Sequence, residues 1–377
     1  MLRTIKLILH FFLASFLIPS IIYLSNDDKI IDGMLFYSNF SLISGFIESS
    51  LLIKRRHDQK YEFELLILIF ISTIVSSFLF FHLIHDWLQI LLLLVVLLRI
   101  LSLKMFYEIH INDIIKNRVT ESLFFINLSK LIFIFSLFYL KKLTITTLTI
   151  NLFLFYFIEF IVLYKSHKIL FFQYKFSFKN LSYFLNHFVL YSLLSFSFFI
   201  YYRNKLFIYD KSIIKNLVFA TSIFGIFSVL LNVFISKNTI SLKKILYQKK
   251  VFNIISFFTL FILLLLVICS KFLTNSKLNY SFYLFLSILI CNLPNSIHFL
   301  MLPLNQLFSE LLYLFITVFL LYIALNFSFS GAKDFFLILI LYHHLQGIIL
   351  SMRIKHFFGI SYNVAIIMFF YIYLLIF

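Results

Sequence analysis

The chain has 377 residues, of which 62% are hydrophobic, 21% aromatic and 12% charged, with a formal net charge of +17. A soluble domain carries about 25% charged residues and roughly half apolar ones, so with a mean hydropathy of +1.03 spread over its whole length this chain reads as a multi-span integral membrane protein. Six glycines and three prolines exclude collagenous and Gly-rich disordered classes, and the basic excess sits at span ends rather than in a nucleic-acid-binding patch.

A helix needs roughly 20 apolar residues to cross the hydrocarbon core. Runs of that kind lie near 5–24, 34–53, 63–83, 87–108, 121–140 and 143–163. After a more polar stretch they resume near 182–202, 213–236, 251–271, 279–301, 308–328 and 333–352, and a last run, 358–376, makes a possible thirteenth. The runs are continuous rather than alternating, which argues against a β-barrel. The expected fold is an all-α polytopic membrane protein of twelve or thirteen helices in two six-helix lobes. The expected divisions are an N-terminal lobe at 1–164, a cytoplasmic linker at 165–181, a C-terminal lobe at 182–352 and the extra helix within 353–377.

Lysine and arginine set orientation. With the N-terminus in the cytoplasm, the inner loops carry twice as many cations as the outer ones, and the opposite orientation inverts that bias. The first run starts after Arg3 and Lys6 without a clean small-x-small cleavage site, so it reads as a retained span. The segment from Lys237 to Lys250 interleaves lysines with Ile240, Leu242, Ile245, Leu246 and Tyr247, a pattern for an amphipathic helix on an anionic leaflet.

Loops are short, leaving no room for a folded catalytic domain. The chain has no P-loop, HExxH or GxSxG motif. His343 and His344 are adjacent, about 100° apart on a helix, and read as packing or cavity-lining groups rather than a zinc pair. Cys269 and Cys291 each lie in an apolar run and read as buried thiols. No metal, cofactor or catalytic constellation is expected, and transport or membrane-embedded transfer chemistry remains.

Ionisable groups within spans cost several kcal/mol unless they face a polar interior, so each is a functional candidate. Mid-span examples are Glu48, Arg99, Lys130 and Glu159. If the first six spans form one bundle, these four share a cavity. The cations then serve an anionic substrate, and Glu48 or Glu159 serves either to bind a coupling ion or to pair with a cation. Arginine suits a diphosphate because its planar fork donates parallel hydrogen bonds. Lys104 and Glu108, spaced i, i+4, read as an ordinary pair at the cytoplasmic end of their helix. Arg203 and Lys205 close the seventh span behind Phe198, Phe199, Tyr201 and Tyr202, where they form either an interfacial anchor or the basic rim of a substrate cavity.

Three segments carry a resemblance. Asp32-Gly33-Met34-Leu35-Phe36-Tyr37-Ser38 is followed by a span reaching Glu48-Ser49-Ser50 and then by Lys54-Arg55-Arg56. Tyr201-Tyr202-Arg203 runs to Ile208-Tyr209 and then to Asn216-Leu217-Val218-Phe219-Ala220-Thr221. Leu325-Asn326-Phe327 leads to Gly331-Ala332. Together with the six-plus-six layout, these resemble polysaccharide (O-antigen type) flippases of the multidrug/oligosaccharidyl-lipid/polysaccharide exporter superfamily. Tyr202 stands where that family carries an acidic residue beside the arginine.

The resemblance implies translocation of a polyprenyl-diphosphate-linked oligosaccharide, of the undecaprenyl type, across a bacterial inner membrane for surface polysaccharide synthesis. It also implies a polysaccharide polymerase and assembly proteins as partners, besides membrane lipids, with no nucleic acid. Arg99, Lys130, Arg203 and Lys205 are then the substrate-cavity candidates. The rival expectation is a polyprenyl-lipid-dependent glycosyltransferase or polymerase using Asn26-Asp27-Asp28 outside the first span.

Overall fold

The computed structural model describes residues 87–109, 113–167, 190–237, 244–272, 280–300, 307–327 and 331–376, together with Leu242 and parts of 17–37. The described residues are helical, with no strand among them. The helices are α1 (Trp87–Ile109), α2 (Asp113–Tyr139), α3 (Ile145–His167), α4 (Leu190–Tyr209), α5 (Lys211–Lys237), α6 (Ile245–Phe272), α7 (Tyr280–Cys291), α8 (Leu293–Leu300), α9 (Leu307–Phe327), α10 (Ala332–Arg353) and α11 (Phe357–Ile376).

Among the described residues six segments are long and apolar enough to cross a membrane: Glu121–Tyr139, Ile145–Lys165, Ile245–Ile268, Tyr280–Phe299, Ala332–Arg353 and Phe357–Ile376. Along α6, Ile254, Phe257, Phe258, Phe261, Leu264 and Leu265 are all exposed. A continuous apolar face of that length is untenable in water and natural against lipid. The expected spans near 34–53 and 63–83, most of 5–24, and Glu48 lie outside the described residues.

The chain divides into two compact units, Met1–Ser182 and Tyr183–Phe377. In the first, α1 and α2 both pack on α3. The α2–α3 hairpin closes as a Schellman turn, with Lys142 N donating to Leu137 O (2.9 Å) and Lys141 N to Phe138 O (3.0 Å). Lys141 holds the left-handed position at φ 55 that glycine usually takes. Thr144 and Thr147 then cap α3 reciprocally, each side chain accepting the other's backbone N–H.

In the second unit the Tyr280–Phe299 segment is central, 83% buried against 28% for Ile245–Ile268. It packs on α5, α6 and α10. The single span expected at 279–301 is broken: α7 stops at Cys291 and α8 restarts at Leu293. Pro294 has no N–H to continue the ladder, and Asn295 N donates to Asn292 O instead (3.1 Å). The carbonyl of Cys291, released by the break, accepts the Tyr362 hydroxyl from α11 at 2.8 Å.

Two other expectations shift. The lysine-rich segment ending at Lys250 is not a separate surface helix throughout, because α6 begins at Ile245 and runs unbroken to Phe272. The seventh helix does not stop near residue 202 but continues to Tyr209, where Asp210 caps α5 by accepting Ser212 N (2.7 Å).

Candidate functional site: a buried charged cluster in the first unit

Gly33 lets the helical residues 28–34 pass close to α3, since a Cβ there would stand 2.5 Å from Ile145 Cδ1. That approach delivers Tyr37, 1% exposed, into the interior. Tyr156 and Glu159 lie three residues apart on α3 and so share a helix face, as do Asn127 and Lys130 on α2.

These faces converge. Arg99 Nη1 on α1 donates to Tyr37 OH at 3.0 Å, and Tyr37 OH donates to Tyr156 OH at 3.3 Å. Lys130 Nζ stands 4.3 Å from the centroid of the Tyr156 ring, a cation–π geometry. Lys130 is 0% exposed and Glu159 7% exposed. Among the described residues neither Lys130 Nζ nor Glu159 Oε2 has a hydrogen-bond partner. The Glu159 carboxylate lies in the field of Lys130 first and Arg99 second. Asn127 beside Lys130 has its amide N–H₂ turned to Leu123 O (3.0 Å).

Two cations from different helices therefore face one carboxylate across a tyrosine pair. Such a site can hold an anionic oxygen: Lys130 as a compact point charge, Arg99 as a fork already steadied by Tyr37. Of the four mid-span charges in the sequence, the structure brings Arg99, Lys130 and Glu159 together, and Glu48 lies outside the described residues. Sequence reasoning missed Tyr37 and Tyr156. Their signal was weak, because tyrosine is common at membrane interfaces and nothing local distinguishes one that is buried.

Arg203 and Lys205 belong to the second unit, inside α4 rather than beyond its end. Arg203 is 4% exposed. Its neighbour Tyr202 donates to Phe335 O at 2.9 Å, while Phe198 stacks on Tyr342 with centroids 4.9 Å apart. Lys205 Nζ lies 5.4 Å from the Tyr201 ring, whose hydroxyl bonds Asn326 Oδ1. The aromatic residues expected to anchor this end pack against α9 and α10, and the arginine beside them is buried within the helix.

The second unit also holds two neutral polar chains that the sequence did not announce. Asn295 and Asn363 pair reciprocally, Nδ2 to Oδ1 in both directions, at 2.8 and 3.0 Å. His344 Nδ1 lies 2.7 Å from Asn363 Oδ1, so its proton is on Nδ1. In the other chain Gln248 Nε2 meets His298 Nδ1 (3.2 Å), His298 Nε2 meets His356 Nδ1 (3.1 Å) and His356 Nε2 meets Asn253 Oδ1 (3.0 Å). Only one arrangement satisfies every link: both imidazoles neutral, both protonated on Nε2. His356, in the turn between α10 and α11, fits that assignment. Burial, with Lys249 adding to it, pushes its pKa down to about 4.

Asp27 is exposed, and its carboxylate accepts Lys29 N at 2.9 Å where the helix at 28–34 begins, a capping role. Among the described residues no group of three His, Cys, Asp or Glu side chains could hold a metal ion. No protein-family model, curated protein or solved structure matches this chain.

Proposed function

We propose that the chain is a transporter that moves a polyprenyl-diphosphate-linked oligosaccharide from the inner to the outer leaflet of a bacterial inner membrane. The observation that carries this reading is the Lys130 ammonium, wholly buried beside Arg99 and without a hydrogen-bond acceptor among the described residues. A buried cation is expensive, and an anion that visits the site offsets the cost in a way that packing alone does not. A diphosphate supplies oxygens to both cations while its lipid tail stays in the hydrocarbon. On this reading Arg203 and Lys205 serve the second lobe, and Glu159 takes up a proton or cation that gives the cycle direction. Twelve or thirteen spans in two lobes, with the N-terminus in the cytoplasm, provide the frame for alternating access.

The test is where a lipid-linked sugar repeat accumulates in cells lacking the protein, read with a membrane-impermeant hydrolase. Accumulation facing the cytoplasm is expected. Single repeats exposed outside but never lengthened would overturn the proposal in favour of an enzyme that joins sugars.

A further inference from the structure

One end of the second unit gathers exposed cations. Lys249 Nζ donates to Lys355 O at 2.9 Å, tying the start of α6 to the turn between α10 and α11. That turn is a second Schellman closure, His356 N to Ser351 O (2.8 Å) and Lys355 N to Met352 O (3.0 Å), with Lys355 left-handed at φ 52. Around this tie Lys244, Lys250, Arg353 and Lys355 are exposed. The sequence has no Asp or Glu between Asp210 and Glu310, and none after Asp334. No carboxylate therefore lies on α6, α7, α8 or α11 beside Lys244, Lys250 and Lys355.

Large apolar side chains stand out of the same end. Leu246 is 82% and Phe357 80% exposed, and Met352 is 60% exposed. A soluble anion has no use for them, whereas a lipid with a charged headgroup and acyl chains contacts both sets at once. We infer that the α6 start and the α10–α11 turn together form a binding site for one anionic phospholipid, its phosphate held by the lysines and its chains lying against Leu246 and Phe357. On the sequence reading of orientation this is the cytoplasmic leaflet. The site is independent of the transport reading, since none of its residues belongs to the charged cluster of the first unit.

The test uses the purified, delipidated full chain in a neutral detergent, titrated with phosphatidylglycerol, phosphatidylcholine or inorganic phosphate and read by lipid adducts in native mass spectrometry. Phosphatidylglycerol is expected to be retained at least about tenfold more tightly than phosphatidylcholine, and to weaken by at least about tenfold in the Lys244→Gln, Lys250→Gln, Lys355→Gln triple variant. Lys141→Gln with Lys142→Gln, in the other unit, should leave the preference intact. Equal retention of the two lipids, undiminished binding in the triple variant, or displacement of the lipid by millimolar phosphate would each overturn the proposal. Should the triple variant not fold, salt titration of the native chain decides. Retention that weakens steeply with salt supports the site, and salt-independent retention refutes it.

Discussion

Replacing Lys130 by methionine separates a ligand-binding cation from a structural one, because the two roles predict opposite signs of stability change. The Lys130 ammonium is 0% exposed, has no hydrogen-bond acceptor among the described residues, meets the Tyr156 ring at 4.3 Å and lies in the field of Glu159. A desolvated cation–π contact returns about 2 kcal/mol. Effective desolvation of a buried ion costs several kcal/mol, which exceeds what that contact returns. Methionine keeps the length and most of the packing. Lys130→Met should therefore unfold at higher temperature or denaturant than the native chain while losing export. If Lys130 instead neutralises Glu159 as a fixed pair, the same change strands a carboxylate and costs about 3–5 kcal/mol. Unfolding of the purified chain, set beside an export assay at matched expression, reads both. A destabilised variant, or a stabilised one with normal export, would sink the assignment of Lys130 to a substrate anion.

Three further changes test the surrounding geometry. Tyr37→Phe removes the acceptor of Arg99 Nη1 and the donor to Tyr156, which should cost about 1–3 kcal/mol in an unfolding titration and lower export by freeing the guanidinium from its support. Gly347→Ala places a methyl group 2.5 Å from the Asn295 amide, which Asn363 holds on both sides. Displacing that amide should cost about 1–3 kcal/mol for each polar group left unsatisfied, whereas Gly225→Ala, inside α5 with nothing within 4 Å, should stabilise by about 1 kcal/mol. His356 sets a pH dependence. Its folded pKa of about 4 lies below the ordinary value of 6.5, so between those values the unfolded chain binds the extra proton and stability falls as pH falls. The groups acting on it are His298 across the 3.1 Å bond and Lys249. An unfolding midpoint independent of pH across that window, or an unchanged pH profile in His356→Gln, would contradict the neutral-imidazole chain.

Helix placement was legible because apolar run length is a physical requirement of the bilayer. The runs read at 87–108, 308–328, 333–352 and 358–376 match α1, α9, α10 and α11 within a residue or two. The misreadings occur where charge was taken as a boundary. Arg203 and Lys205 continue α4, which gives way to α5 at Asp210, the residue that caps α5, and not where a cation first occurs. Lys249 and Lys250 lie within α6, which begins at Ile245 rather than near Val251. The break at Asn292 was signalled by Pro294, but the apolar residues on either side masked it. For the site, Arg99, Lys130 and Glu159 stand out in sequence because charge in hydrocarbon is costly wherever it sits. Tyr37, Asn295, His298, His356 and Asn363 do not, because a neutral polar side chain acquires meaning only from its partner. Asn295 and Asn363 are 68 residues apart.

The two kinds of buried polarity imply different uses. In the second unit Asn295, Asn363, His298 and His356 are neutral, and each donates into an acceptor across helices. Such a network recovers most of its desolvation cost and fixes helix register, so it needs no ligand to explain it. The first-unit cluster gathers ionisable groups, of which Lys130 Nζ and Glu159 Oε2 lack a hydrogen-bond partner among the described residues. A fold under selection for stability alone would replace them with apolar groups of the same size. Glu159 sharpens the distinction. An anion drawn to Lys130 and Arg99 would repel a carboxylate already in their field, and protonation of Glu159 removes the repulsion. Glu159→Gln, which fixes the neutral form, should therefore bind the anionic substrate at least as tightly as the native chain while losing the dependence of transport on a proton gradient. Weaker binding in that variant would mean that Glu159 holds Lys130 in place, and that the cluster is a buried ion pair rather than a substrate site.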